Sequence, residues 1–209
     1  MTIRWLFFAL VLGGVCEPEA TAAVLLKRLT PRSLLNRPLP PISGKTLSGR
    51  LINADYFRGK VTLLSFMYVG CPPCMAELPV LGQLEREMAG SGLQVLSVAA
   101  HTAQQLREFN GRSSSPHAQV RRYFSVDSVR HELLPECAEA DKNKPANMLG
   151  PECSTISSRF YLDGYPCTFL VDQKGVVRRV YDGFAIEPQY QKKLVAKMRA
   201  DIQSIIKRS

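Results

Sequence analysis

Several features are scarce in this 209-residue sequence, and each scarcity excludes something. Histidine occurs only as His101, His117 and His131, at spacings that make no metal site, and no H-x-x-x-H is present. C-x-x-C occurs once, so the second ligand pair that a structural zinc site of that type needs is missing. No internal repeat is visible, which excludes solenoid-type arrays. Acidic residues are the minority, 18 against 27 Lys and Arg, giving a formal net charge of +9. The apolar run from Trp5 to Cys16 is too short to span a bilayer comfortably.

That run, with Arg4 before it and the small-x-small site Ala20-Thr21-Ala22 after it, reads as a secretory signal peptide over residues 1–22. The rival is an uncleaved signal that anchors the protein to the membrane. Lipidation at Cys16 is disfavoured by the lead-in Gly13-Gly14-Val15. The expected location is therefore the periplasm or another exported compartment, where disulfides persist. Cleavage leaves Cys71, Cys74, Cys137, Cys153 and Cys167, an odd number, so at least one thiol stays unpaired within a monomer. In an exported protein the basic charge does not point to nucleic acid. It favours acidic partners or weak association with an anionic membrane surface, and a merely solvated basic surface is the plainer alternative.

The chain is organised around VTLLSFMYVGCPPCMAELP, from Val61 to Pro79. An apolar, β-rich run reaches Tyr68, turns at Gly70 and presents Cys71-Pro72-Pro73-Cys74 ahead of a helical pattern. A cysteine at a helix start meets free N–H groups and the positive end of the helix dipole, which favour a thiolate. Pro72 suits the first helical position, where its missing N–H would have had no partner. The competing reading of C-x-x-C is half of a zinc site.

Around this centre we expect an extended lead-in over residues 23–38 and a single domain over residues 39–209. Its elements are a strand from Val61 to Tyr68 and a helix from Pro72 to about Ala89, kinked by Pro79. A strand from Leu93 to Ala99, a helix from Ala103 to Phe109 and a strand from Gln119 to Val126 follow. Residues 127–158, polar and proline-bearing, read as an insertion. Phe169 to Val171 and Val176 to Tyr181 form a hairpin about Asp172-Gln173-Lys174-Gly175. Glu187 to Lys207 closes the chain as an amphipathic helix. This order predicts an α/β sandwich, a mixed central sheet with helices on both faces and a right-handed βαβ crossover.

Two motifs and a lead-in bring a resemblance. C-x-x-C-x-x-E-x-P stands at Cys71, Cys74, Glu77 and Pro79, and G-x-P-x-T-F-L-x-D at Gly164, Pro166, Thr168, Phe169, Leu170 and Asp172. Ahead of them runs GKTLSGRLINADYFRGKVTLLSF. In these the chain resembles the thioredoxin superfamily, and within it the exported thiol–disulfide oxidoreductases of the TlpA/ResA type. The resemblance covers roughly Leu39 to Lys207 apart from the insertion. It implies a thioredoxin-like fold with the insertion ahead of a cis-proline hairpin. It also implies a cis peptide at Tyr165–Pro166 facing the C-x-x-C, with Tyr165, Pro166, Pro72 and Pro73 lining the substrate groove. The chain departs from the pattern at Gly70 and Met67, where the family commonly has Trp. Ser65 stands where thioredoxin has a buried Asp.

Cys71 is then the attacking sulfur, the more exposed of the pair, and Cys74 the resolving one. Glu77 lies on the same helix face as Cys74 and can carry its proton, or else is a solvated helix glutamate. Cys137 and Cys153 flank the insertion and close it as a structural disulfide, unless they form a second redox pair. Cys167 either approaches the active pair or is a buried, inert thiol. The expected function is thiol–disulfide exchange with protein substrates, as a reductant fed by a membrane electron donor, in the maturation of exported proteins such as apocytochrome c. No cofactor is expected beyond the Cys71–Cys74 disulfide, and no metal. The alternative is a non-catalytic thioredoxin-like module that binds an assembly partner, or a metal through its insertion with His131, Cys137 and Cys153.

Overall fold

The computed structural model describes residues 29–112, 114–138, 153 and 156–208. The expected signal segment over residues 1–22 and half of the expected insertion, residues 139–152, 154 and 155, lie outside the described residues. In chain order the elements are β1 (Gly44–Lys45), β2 (Leu51–Ile52), α1 (Ala54–Phe57), β3 (Val61–Met67), α2 (Pro72–Met88), β4 (Leu93–Ala99), α3 (Ala103–Asn110), α4 (Pro116–Tyr123), β5 (Glu132–Pro135), β6 (Cys167–Val171), β7 (Val177–Asp182) and α5 (Pro188–Ile206). Short 3-10 turns occupy Pro31–Leu34, Ala89–Ser91 and Ser157–Phe160. The described part of the lead-in is thus a turn with Leu34 buried, and Pro38 bridges to Val176 at the end of the hairpin turn. Among the described residues no helix is long and apolar enough to cross a membrane.

The main sheet has the order β5-β4-β3-β6-β7. β3, β4 and β5 run parallel, whereas β6 pairs antiparallel with β3 and β7 antiparallel with β6. β3 and β4 are buried along their whole length, as their continuous apolar runs require of strands covered on both faces. On one face Leu63, Val95 and Leu170 pack against Leu81 and Leu84 of α2 and Met198 and Ile202 of α5. On the other, Leu64, Phe66, Leu96 and Phe169 pack against Tyr56 and Phe57 of α1 and against Phe160. This is the expected mixed sheet with helical structure on both faces. The coverage is unequal: long helices lie on one side, and α1 with the Ser157–Phe160 turn lies on the other.

Two sequence expectations are corrected. Residues 119–126, expected as a strand, belong mostly to α4. The cause is local: the Ser115 hydroxyl accepts from the Ala118 N–H at 3.3 Å, and Pro116 takes the first helical position. That start signal outweighs the β-like run Val120 to Val126. Residues 127–158 are not wholly an insertion, because β5 lies within them and pairs with β4 through Leu96↔Glu132 to Ala99↔Pro135. Only Leu133 and Leu134 of β5 are buried, too short a pattern to stand out in a polar stretch. The hairpin is as expected. Asp172 accepts from Lys174 and Val176 N–H groups, each at 2.9 Å, and Gly175 takes φ 75° in the turn.

Candidate active site

β3 delivers the chain to the C-terminal edge of the sheet, where Tyr68 to Gly70 turn it into α2. Gly70 has φ 93°, in the left-handed region that side chains avoid. A residue with a side chain at position 70 would be strained in this turn. Cys71 is the N-cap of α2 and accepts from the Cys74 N–H at 3.2 Å. Pro72 and Pro73 have no N–H, and the Met75 N–H bonds the Cys71 carbonyl at 2.9 Å. Within the first turn, one backbone donor thus reaches the sulfur. Cys71 and Cys74 are joined, with an S–S distance of 2.07 Å. α2 runs through Pro79 without interruption.

Cys71 is the more exposed of the pair, though solvent barely reaches it. It is 2% exposed, and Cys74 is 0% exposed. The cover comes from the loop before β6. The Tyr165–Pro166 peptide is cis, and the Tyr165 carbonyl oxygen lies 3.7 Å from Cys71 Sγ. The Tyr165 ring meets Tyr68 edge-on at 5.5 Å. Burial raises the Tyr165 hydroxyl pKa, partly offset by a hydrogen bond with Ser157. Pro72 is exposed and Pro73 and Tyr165 are half-buried, so these residues form the rim, with Pro166 buried beneath it.

Glu77 is not a solvated helix residue. It is 2% exposed, its Oε2 accepts from Ser65 Oγ at 2.8 Å, and its Oε1 accepts from Thr168 Oγ1 at 2.7 Å. Ser65 and Thr168 are register partners on β3 and β6. Burial pushes the Glu77 pKa up to about 7, against the lowering effect of the hydrogen bonds from Thr168 and Ser65. A carboxyl group one turn beyond Cys74, poised near neutrality, can take or return a proton. Sequence reasoning saw Ser65 only as a departure and Thr168 only as a motif letter. The cross-strand register that aims both at Glu77 has no local signal.

Cys137 and Cys153 are joined, with an S–S distance of 2.05 Å. Cys167 is a free, buried thiol. It packs with Phe66, Phe160 and Phe169 on the face of the sheet away from Cys71 and Cys74. Its Sγ lies 3.5 Å from Asp182 Oδ1, and burial, then Asp182, push its pKa far up. It is not brought to the active pair. His101 is fully buried with its ring edge-on to His117 at 5.7 Å, and burial lowers its pKa to about 4. The Nε2 of His131 is 2.9 Å from Ser97 Oγ rather than turned to Cys137 or Cys153. Among the described residues no group of three or more His, Cys, Asp or Glu is arranged to hold a metal ion.

A family model described as the AhpC/TSA family matches residues 35–180, which include every one of these site residues. The thioredoxin-like protein YneN of Bacillus subtilis is 26% identical over 155 residues, 74% of this chain and 75% of that protein. A thiol:disulfide interchange protein of the thioredoxin family from Chlorobium tepidum superposes with a TM-score of 0.51 at 19% identity, covering 81% of this chain and 95% of that one. A thiol:disulfide interchange protein from a Bacteroides species gives a TM-score of 0.51 at 16% identity, covering 81% and 90%.

Proposed function

This chain belongs to the AhpC/TSA family, within the thioredoxin superfamily, and from that premise we propose that it is an exported thiol–disulfide oxidoreductase acting on protein substrates. The observation that carries the reading is the Cys71–Cys74 disulfide at the start of α2, set against the cis-proline loop with Glu77 buried behind it. In the reducing direction the Cys71 thiolate attacks a substrate disulfide. A Cys71–substrate disulfide forms and the first substrate sulfur leaves as a thiolate. Glu77, as carboxylate, takes the Cys74 proton. The Cys74 thiolate then attacks Cys71 Sγ, closes the intramolecular disulfide and expels the second substrate sulfur. Two electrons pass from the dithiol to the substrate, and a membrane electron donor restores the dithiol. Tyr165, Pro166, Pro72 and Pro73 frame the groove that holds the substrate strand.

The direction follows from the donor count. A strongly oxidising dithiol needs a heavily stabilised thiolate, and here Pro72 and Pro73 remove two N–H groups from the sulfur's surroundings. Ionised Glu77 adds nearby negative charge. We expect a potential nearer about −270 mV than about −120 mV, hence a reductant serving the maturation of exported proteins, apocytochrome c among the candidates. Trapping tests the reading: Cys74→Ser protein should accumulate mixed disulfides with exported proteins. Equilibration of the Cys71–Cys74 pair with glutathione tests the direction, and a value at the oxidising end would make the protein a disulfide donor.

A further inference from the structure

Further along α2 from the cysteines, one face of the helix leaves a gap. Between it and residues 126–131 lies a cavity of about 420 Å³. Leu78, Val126 and Val129 give it an apolar wall, and Arg86, Arg130 and His131 give it polar corners. His131 is 6% exposed, with its Nε2 occupied by Ser97 Oγ at 2.9 Å. Its Nδ1 has no hydrogen-bond partner among the described residues. A buried ring nitrogen left unpaired is a group whose hydration has been lost without replacement. Burial holds the ring neutral, with its pKa lowered to about 4. Where the Ser97 hydroxyl donates to Nε2, the ring proton sits on Nδ1 and makes it a donor, and this is the tautomer an anion site here requires.

Gly82 lies where these donors converge. A Cβ at that position would stand 3.9 Å from His131 Nδ1 and 3.5 Å from Arg86 Nη1. Its backbone is not in the left-handed region, and those contacts are ordinary van der Waals distances, so alanine would fit. Glycine in a helix interior is less favourable than alanine. What it provides here is open space between the Arg86 guanidinium and the His131 ring.

We propose that this cavity binds a small oxyanion, a carboxylate or a phosphate, seated over Gly82 and held by the Arg86 guanidinium and the Nδ1–H of His131, with Arg130 at the rim. A guanidinium presents paired donors suited to either anion. Asp127 at the mouth opposes binding, and the two arginines outweigh it. The site is distinct from the cysteine groove, and its test does not depend on thiol exchange.

The full-length chain, oxidised and near neutral pH, is titrated separately with inorganic phosphate and with sodium isobutyrate, and amide and histidine-ring NMR shifts are followed. Saturable shifts at Gly82, Arg86 and His131 are expected with at least one anion. Response to phosphate alone identifies a phosphate ligand, and response to isobutyrate alone a carboxylate. Gly82→Ala and Arg86→Gln should each weaken that binding about tenfold or more, while signals elsewhere show the fold intact. Replacing His131, which also bonds Ser97, risks the fold and is not needed. No saturable shift with either anion up to about 20 mM overturns the proposal, and so does binding that both variants leave unchanged.

Discussion

The Cys71–Cys74 bond joins residues 3 apart in sequence at a helix start, whereas Cys137–Cys153 joins residues 16 apart and ties the exit of β5 to the segment before β6. Around the first pair stand an N–H donor, the Tyr165 carbonyl and a buried carboxyl whose pKa lies near neutrality. Beside the second, the Cys137 N–H bonds the His101 carbonyl at 3.2 Å. Neighbouring Glu136 accepts from the Ile156 and Ser157 N–H groups at 2.8 and 2.6 Å. Glu136 therefore ties the same two segments as the second disulfide. The bonds are chemically alike, and what surrounds them differs. The first has a buried carboxyl behind it and a rim of Pro72, Pro73 and Tyr165 around it, and the second is doubled by a hydrogen-bonded clamp.

The largest expected effect comes from removing one sulfur of the first pair. Cys71→Ser should abolish insulin reduction, whereas Cys74→Ser should stall as a mixed disulfide visible on a non-reducing gel. The reverse pattern would exchange their roles.

Glu77→Gln should slow the resolving step by about a hundredfold, the low end for loss of a general acid–base group. In the wild type that step should rise as pH climbs through about 7, because the carboxylate form does the work. In the variant this rise should vanish. Stability should move the other way. The folded pKa of Glu77, about 7, lies above the ordinary glutamate value of 4.5. Its contribution is therefore fully present below about pH 4.5 and is lost as pH rises through 7. At about 1.4 kcal/mol per pH unit, the loss across that window is roughly 3 kcal/mol. Urea unfolding of Glu77→Gln between pH 4.5 and 8 should lack this decline. A parallel decline in both proteins would detach Glu77 from it.

Against these, the paired Cys137→Ser and Cys153→Ser substitutions should lower unfolding free energy by no more than about 3 kcal/mol, since the Glu136 clamp remains. The Cys71–Cys74 potential should stay put. A large change in that potential would make the second pair a partner in exchange and erase the contrast. The smallest effect is at the turn. Gly70→Ala should cost about 1 kcal/mol, because φ 93° is a left-handed conformation, with exchange largely retained.

The helix-start C-x-x-C, the βαβ order, the hairpin and α5 were legible because each is written locally, in capping residues, apolar runs and turn residues. The strand expected at 119–126 failed because Ser115 and Pro116 start a helix there, and β5 was missed because a buried edge strand of four residues has no period to read. The sequence by itself determined which two sulfurs meet within a turn, and that Pro72 and Pro73 withhold N–H groups from them. Only the tertiary structure decided that Glu77 is buried between Ser65 and Thr168, that Tyr165 covers Cys71, and that Cys167 faces the opposite side of the sheet. The reason is that strand pairing sets those neighbours. Residues far apart in the chain meet only once the register of β3 against β6 is fixed, and alternation across the sheet then sends Thr168 to one face and Cys167 to the other.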